Sequence, residues 1–237
     1  MSWRNPCSWK TCSISNLFPK LKISDLELQF TDAPAPLFKG LTAELKAGEI
    51  MVITGGNSSG KSSLINCLCG IIPKAIPARV SGSIHWGNTP LEEIPLCEIY
   101  RFLSIAPADT KDQMLMPSLE LELAFALENM GLPPAEIRER IHTAAARFGL
   151  GKMLQAAPLK LSGGEQRLLL CAICFSMQNP ILMMDEPETG LSESSLELVT
   201  DWLIEMREQG RGIVLASHNP VIIALADIKI DLGFSNV

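Results

Sequence analysis

No block of Lys or Arg interrupts this sequence. Its 20 basic residues are scattered among 26 acidic ones for a net charge of −6. It therefore lacks the cationic footprint that neutralising a phosphate backbone requires, and nucleic acid is not expected as a partner. Long apolar runs are missing too. The longest, Leu168 to Phe175, is eight residues, against about 20 for a helix that crosses a bilayer, so the chain is not expected to span a membrane by itself. The start of the chain lacks the charged and then apolar pattern of a secretory leader, and its seven Cys are an odd number. Both features fit a reducing cytoplasm better than an oxidising compartment.

What is there describes a folded chain: 237 residues, 47% apolar and 19% charged, enough for one large domain or two small ones with a sizeable core. Residues 1–20, with Trp3, Cys7, Trp9 and Cys12, have neither helical nor strand periodicity and read as an extension outside a domain spanning 21–237. Short strands are expected at 22–30, 42–45, 50–54, 83–86 and 102–105, with an antiparallel portion near 21–50 and 80–105. Helices are expected at 120–130 and 134–148, where Ile137, Ile141, Ala144 and Phe148 recur at helical spacing, Glu136 faces Arg140 and Pro134 suits a helix start. They belong to a helical insertion at about 110–160. Beyond it come a helix at 164–178, a strand at 181–184, a helix at 193–207 and strands at 212–216 and 228–231. Apolar strands alternating with helices argue an α/β fold with a mainly parallel sheet. The chain stops soon after Asp231, so no C-terminal regulatory domain is expected. Cys171-x-x-Cys174 has no second Cys pair or nearby His, and reads as two small buried side chains on a helix rather than half a zinc site.

The strand at 50–54 runs into Gly55-Gly56-Asn57-Ser58-Ser59-Gly60-Lys61-Ser62-Ser63 and then a helix, which fits G-x-x-x-x-G-K-[ST] in its required setting. Glycines let successive N–H groups converge on one anion, the helix offers its positive N-terminus, Lys61 adds a full charge, and the Ser62 hydroxyl can ligate Mg²⁺. The apolar strand at 181–184 delivers Asp185 and Glu186 at its carboxyl end, where an open α/β sheet binds ligands. Asp185 is suited to hold Mg²⁺ and Glu186 to polarise a water attacking a γ-phosphate. A second helix opens at Leu161-Ser162-Gly163-Gly164-Glu165, again with a hydroxyl and glycine N–H groups at a helix N-terminus. On chemistry alone this is an anion site or an ordinary Ser cap.

The string Leu161 to Glu165 closely resembles the LSGGQ signature of ABC ATPases and stands at the family's spacing, with Ser162 23 residues before Asp185. The resemblance runs from about Leu21 to Asp231. It implies an ABC-type P-loop NTPase fold, with ATP and Mg²⁺ bound and ATP hydrolysed. It also implies a head-to-tail dimer, homo- or heterodimeric, in which the Gly55–Ser63 loop of one subunit and Ser162, Gly163, Gly164 and Glu165 of the other enclose each ATP. By the same resemblance Phe30 would stack on adenine and His218 would be the switch histidine near the γ-phosphate; on residue type alone, a strand-end core Phe and a loop His remain open. The stretch from Asp112 through Asn129 looks like the corresponding region of energy-coupling-factor and cobalt or nickel uptake ATPases. This implies a subunit peripheral on the inner face of the cell membrane, powering integral membrane subunits that import a vitamin or transition-metal ion. Residues 113–130 would then dock a membrane subunit, with Met114, Leu115 and Met116 as adaptable contacts, unless they fill the helical subdomain's core.

Three positions depart from the family. Ala108 stands where a Q-loop glutamine is usual, so either Asp109 substitutes or coupling is altered. Ser192 replaces the D-loop carboxylate, and Ser58 replaces a common glycine, which is tolerable if the backbone there does not need φ > 0. With Lys61, Ser62, Asp185, Glu186 and His218 intact, hydrolysis is expected, slower than in a typical member. The alternatives are a weakly hydrolysing partner in a heterodimer, which Ala108 and Ser192 favour, and an ATPase that remodels a macromolecule. Against the latter, there is no long coiled coil between Lys61 and the signature, and one cassette rather than two.

Overall fold

In the computed structural model, which describes residues 20–110 and 113–233, the chain forms two sheets. The first is antiparallel, in the order β2-β1-β4-β5, from β1 (Leu21–Phe30), β2 (Phe38–Leu45), β4 (Ala78–Trp86) and β5 (Thr89–Pro90). The second is parallel, in the order β6-β7-β8-β3-β9, from β3 (Ile50–Thr54), β6 (Leu103–Ala106), β7 (Ile181–Asp185), β8 (Gly212–Ala216) and β9 (Ile228–Asp231). The proposed extension at 1–20, apart from Lys20, lies outside the described residues.

The central strands are apolar throughout because both faces are covered. Their period of two divides them between two cores. Ile50 and Val52 of β3, Leu182 and Met184 of β7, and Ile213 and Leu215 of β8 face one core. Met51 and Ile53, Ile181 and Met183, and Val214 and Ala216 face the other. The second core is closed by the antiparallel sheet and by α1 (Lys61–Leu68), α2 (Ile71–Lys74) and α3 (Leu96–Ile99). The first is closed by α4 (Leu119–Asn129), α5 (Pro134–Arg147), α6 (Gly163–Met177) and α7 (Glu193–Glu208). A short α8 (Pro220–Ala224) follows β8.

The helical lobe forms as its periodicity dictates. Ile137, Ile141, Ala144 and Phe148 are buried, and Arg140 pairs with Glu136 at 2.7 Å and donates to Ser176 O at 2.9 Å, tying α5 to the end of α6. Phe148, Phe175 and Trp202 meet edge-on, with centroids 5.4–6.3 Å apart, the geometry that ring quadrupoles favour. Cys171 and Cys174 are buried on α6. Burial pushes the Cys171 thiol up to about 12 and that of Cys174 higher still, as suits inert small side chains.

Three expectations are corrected. The strand near 102–105 belongs to the parallel sheet, pairing with β7 from Leu103↔Ile181 to Ala106↔Met184, so the antiparallel portion ends at Pro90; strand spacing does not reveal a crossover. β2 and β4 each begin several residues earlier than their apolar patterns suggest, at Phe38 and Ala78, because backbone pairing with β1 extends through polar positions. Met114 is 8% exposed and packs into the first core rather than onto a surface.

β1 and β4 are held in register by one bulge. The pairing slips between Ser24↔Ser83 and Glu27↔Ser81, and Gly82 at φ 81° would place a Cβ 2.2 Å from Asp25 O. Gly131 has a similar φ of 72° with nothing near its Cβ position. Gly82→Ala should therefore lose more stability in urea than Gly131→Ala, whose cost is the left-handed strain alone, about 1 kcal/mol. Equal losses would contradict a bulge that depends on close backbone approach.

Candidate functional site

The carboxyl ends of β3, β7 and β8 lie side by side, so the loops that leave them converge. After Thr54 the chain turns through Gly55 at φ 148°, where a Cβ would stand 2.5 Å from Ser59 Oγ, and through Gly60 at φ 101°, where it would press on Leu37. Both turns need glycine. Gly60 delivers the chain into α1, whose first residue, Lys61, is buried and donates through Nζ to Gly55 O at 3.1 Å and Gly56 O at 2.8 Å. The ammonium thus sits inside the loop it follows. Ser58 stands at φ 61°. The condition under which its replacement of glycine would be free of strain is not met, and the loop holds a left-handed serine.

At the end of β7, Asp185 is buried and its Oδ1 has no partner. Burial raises its pKa, while a hydrogen bond from Ser62 lowers it, Glu186 raises it further, and Lys61 and Arg167 pull it down. A buried, half-satisfied carboxylate beside a serine hydroxyl is an oxygen donor set suited to a hard divalent cation. Glu186, at φ 49°, is fixed by its N–H on Ala216 O at 2.8 Å, and its Oε2 accepts from Thr189 Oγ1 at 3.0 Å. His218 follows β8 and is exposed.

One open cleft of about 670 Å³ is lined by Phe30, Leu37, the loop from Asn57 through Ser63, Glu186 and His218; Asp185 is not part of its lining and meets it through Ser62. Phe30, at the end of β1, is half-buried there. Gly55 and Gly56 contribute carbonyls to Lys61 rather than cleft wall. Leu37 is the wall residue that sequence reasoning misses: it follows Ala-Pro-Ala-Pro in a connection between β1 and β2, where no periodicity exposes its direction.

The second loop is not brought to this cleft. Ser162 caps α6 in a full capping box. Its Oγ accepts from the Glu165 N–H at 3.3 Å, and its own N–H and hydroxyl donate to Glu165 Oε2 at 2.8 and 2.7 Å. The Ser162 bonds hold the Glu165 carboxyl below the usual range. Ser162 and Gly163 are exposed, whereas Gly164 abuts the loop after β7: a Cβ there would be 2.5 Å from Gly190 O.

Both loop departures have local structural partners. Ser192 is the N-cap of α7, accepting from Ser195 N–H at 3.2 Å. Ala108 is held by its backbone: the buried Arg167 donates to Ala108 O, to Pro107 O at 2.7 Å and to Asp185 O at 3.4 Å. Beside it, Thr110 donates to Gln166 Oε1 at 2.9 Å. Asp109 is exposed and outside the cleft lining.

A family model described as ABC transporter matches residues 38–189. The chain is 30% identical over 208 residues to the energy-coupling factor transporter ATP-binding protein EcfA2 of Clostridium perfringens, covering 86% of this chain and 71% of that one. It is 29% identical over 200 residues to the cobalt import ATP-binding protein CbiO of Syntrophus aciditrophicus, covering 84% and 70%. A solved structure of cbiO1 from Clostridium perfringens, described as part of the ABC transporter complex cbiONQ, is 28% identical with a TM-score of 0.75, covering 89% of this chain and 83% of that one. The chain spans 40, 66 and 64% of the length of three other curated relatives it matches.

The Asp185 carboxyl carries a testable cost. Its proton is held more tightly folded than unfolded, so stability falls as pH rises from the ordinary carboxylate value through the raised one, and at neutral pH the charged form is unfavourable. Asp185→Asn should therefore raise the melting temperature of the ligand-free protein at neutral pH and shrink the additional rise that Mg²⁺ gives over ATP alone. A lowered melting temperature in the ligand-free state would contradict a destabilising carboxylate.

Proposed function

The chain belongs to the ABC transporter family, and on that premise we propose that it binds and hydrolyses ATP, closing against a second ATPase subunit to power import through separate membrane subunits. The observation that carries this is the single cleft in which the Asn57–Ser63 loop, Glu186 and His218 meet, with Lys61 held on loop carbonyls in its lining and Asp185, bonded to Ser62, keeping Oδ1 unpartnered.

On this reading each residue takes a role suited to its chemistry. Loop N–H groups and the N-terminus of α1 cradle the phosphates, and Lys61 exchanges two neutral carbonyls for charged phosphate oxygens, which are stronger acceptors. Phe30 and Leu37 offer an apolar wall to the base. Glu186, oriented by Thr189, accepts a proton from the attacking water, and His218 hydrogen-bonds the γ-phosphate. Ser62 and Asp185 would hold Mg²⁺, which supplies neutralisation of the phosphate charge when bound. The exposed Ser162 and Gly163, pre-set at a helix N-terminus away from this chain's own cleft, suit the γ-phosphate of a nucleotide on a second subunit, whether the same chain or another. Arg167 and Ser192 keep the two divergent loops anchored; the intact Glu186 and His218 are what favour hydrolysis over a degenerate partner.

The helical lobe supports a membrane partner. Leu115, Leu121 and Phe125 are 67, 48 and 39% exposed, an apolar patch of the kind that marks a docking surface. Among the described residues no helix is long and apolar enough to cross a membrane; a peripheral place on the inner face rests on the relatives named as ATP-binding proteins of transporters. A vitamin or transition-metal cargo is supported by the relatives named for cobalt import and for energy-coupling factor transport.

Glu186→Gln should lower turnover about 100-fold or more and trap a Mg-ATP-dependent dimer visible by size-exclusion chromatography with light scattering. A variant that stays monomeric at saturating ATP with its partners present would contradict the mechanism. Gentle detergent purification of tagged protein should recover integral membrane subunits with the wild type and lose them with Leu115→Glu/Phe125→Glu. Recovery of soluble partners alone would sink the transporter role.

A further inference from the structure

Glu188 lies two residues beyond Glu186, in the turn that Thr189 N–H and Leu191 N–H close on Glu186 O and Glu188 O at 3.1 Å each. Its Oε1 accepts from the Ser217 hydroxyl at 2.5 Å, a short charge-assisted bond between the loop after β7 and the loop after β8. Ser217 is fully buried and immediately precedes His218. Its N–H donates to Ile53 O at 3.1 Å, at the root of the phosphate loop, and its Oγ accepts from Asn219 N–H at 3.0 Å. His218 is thus flanked on both sides by backbone that one hydroxyl organises, and that hydroxyl's proton is committed to Glu188. The second oxygen, Oε2, is buried with no partner, an arrangement costlier than a solvated surface glutamate.

We infer that Glu188 is a positioning residue, fixing through Ser217 where His218 stands relative to Glu186. The inference rests on the hydrolytic role proposed above. A carboxylate at 188 holds the Ser217 hydroxyl in one rotamer; without it the hydroxyl is free to turn, Asn219 N–H loses a fixed acceptor and His218 loses its anchor. Phosphate binding, which depends on the Gly55–Ser63 loop, is left intact.

The test uses the full chain with ¹³C-labelled histidine and steady-state ATP turnover, comparing Glu188→Val, Glu188→Gln, Ser217→Ala and Glu188→Val/Ser217→Ala. Glu188→Val and Ser217→Ala should each lower kcat about tenfold with KM for ATP within about twofold, and the double variant should be no worse than either, as expected of residues acting as one unit. Both should shift the His218 ring signal, whereas Glu188→Gln, which keeps an acceptor oxygen, should retain most of the activity and the wild-type signal. The inference is overturned by an unmoved His218 signal, by additive losses, or by kcat and KM worsening together with the unfolding midpoint. A wild type that turns over ATP indifferently to Glu188 overturns this inference alone; a wild type that turns over no ATP overturns the hydrolytic role and the inference with it.

Discussion

The constraint on which the site depends is strand adjacency in the parallel sheet. β7, β8 and β3 are consecutive neighbours, and their registers align Asp185 with Ala216 and Ala216 with Ile53. Because all run the same way, the chain leaving each strand emerges at one edge. Residues separated by more than a hundred positions, Lys61 and Glu186 among them, then share a cleft with no bond between them needed to bring them there. Two cores, one on each face of the sheet, make that edge rigid.

Rigidity lets the edge carry groups that would not persist elsewhere. Asp185 has a buried, unpartnered oxygen, Ser58 and Glu186 hold left-handed backbone, and Lys61 is buried on carbonyls. Each is locally unfavourable or only partly satisfied, the kind of departure that clusters at functional sites. Behind them, Arg167 on α6 bonds the carbonyls of Pro107 and Ala108 just after β6 and that of Asp185 at the end of β7. The close approach of Gly164 to Gly190, one turn earlier on the same side of α6, adds a second tie to the loop after β7. The helix that starts at the exposed Ser162 is therefore fastened directly to the loops around Glu186 and Ala108.

Much of this is legible in the sequence because the decisive groups follow strands whose apolar runs are plain. Ile50–Thr54 and Ile181–Asp185 announce Lys61, Ser62, Asp185 and Glu186, and the capping pattern at Ser162 to Glu165 announces the start of α6. What is not legible is long-range. No local pattern says that β1 pairs with β4 across a bulge at Gly82, that Leu103–Ala106 joins the parallel sheet, or that Leu37 turns into the cleft. Met114 looks like a surface methionine because residues around it alternate without a period, yet it falls into the core when α4 packs on α6. Ala108 and Ser192 read as losses by residue type, and only the positions of Arg167 and Ser195 show what holds those loops.

The measurement that bears most directly on this account is calorimetric titration of Mg-ATP into the full chain and into Lys61→Ala. Saturable binding at one site per chain, weakened about tenfold or more by removing the ammonium that the loop stores, is the predicted result. A wild-type chain that fails to bind, or a Lys61→Ala variant that binds as tightly, would contradict it.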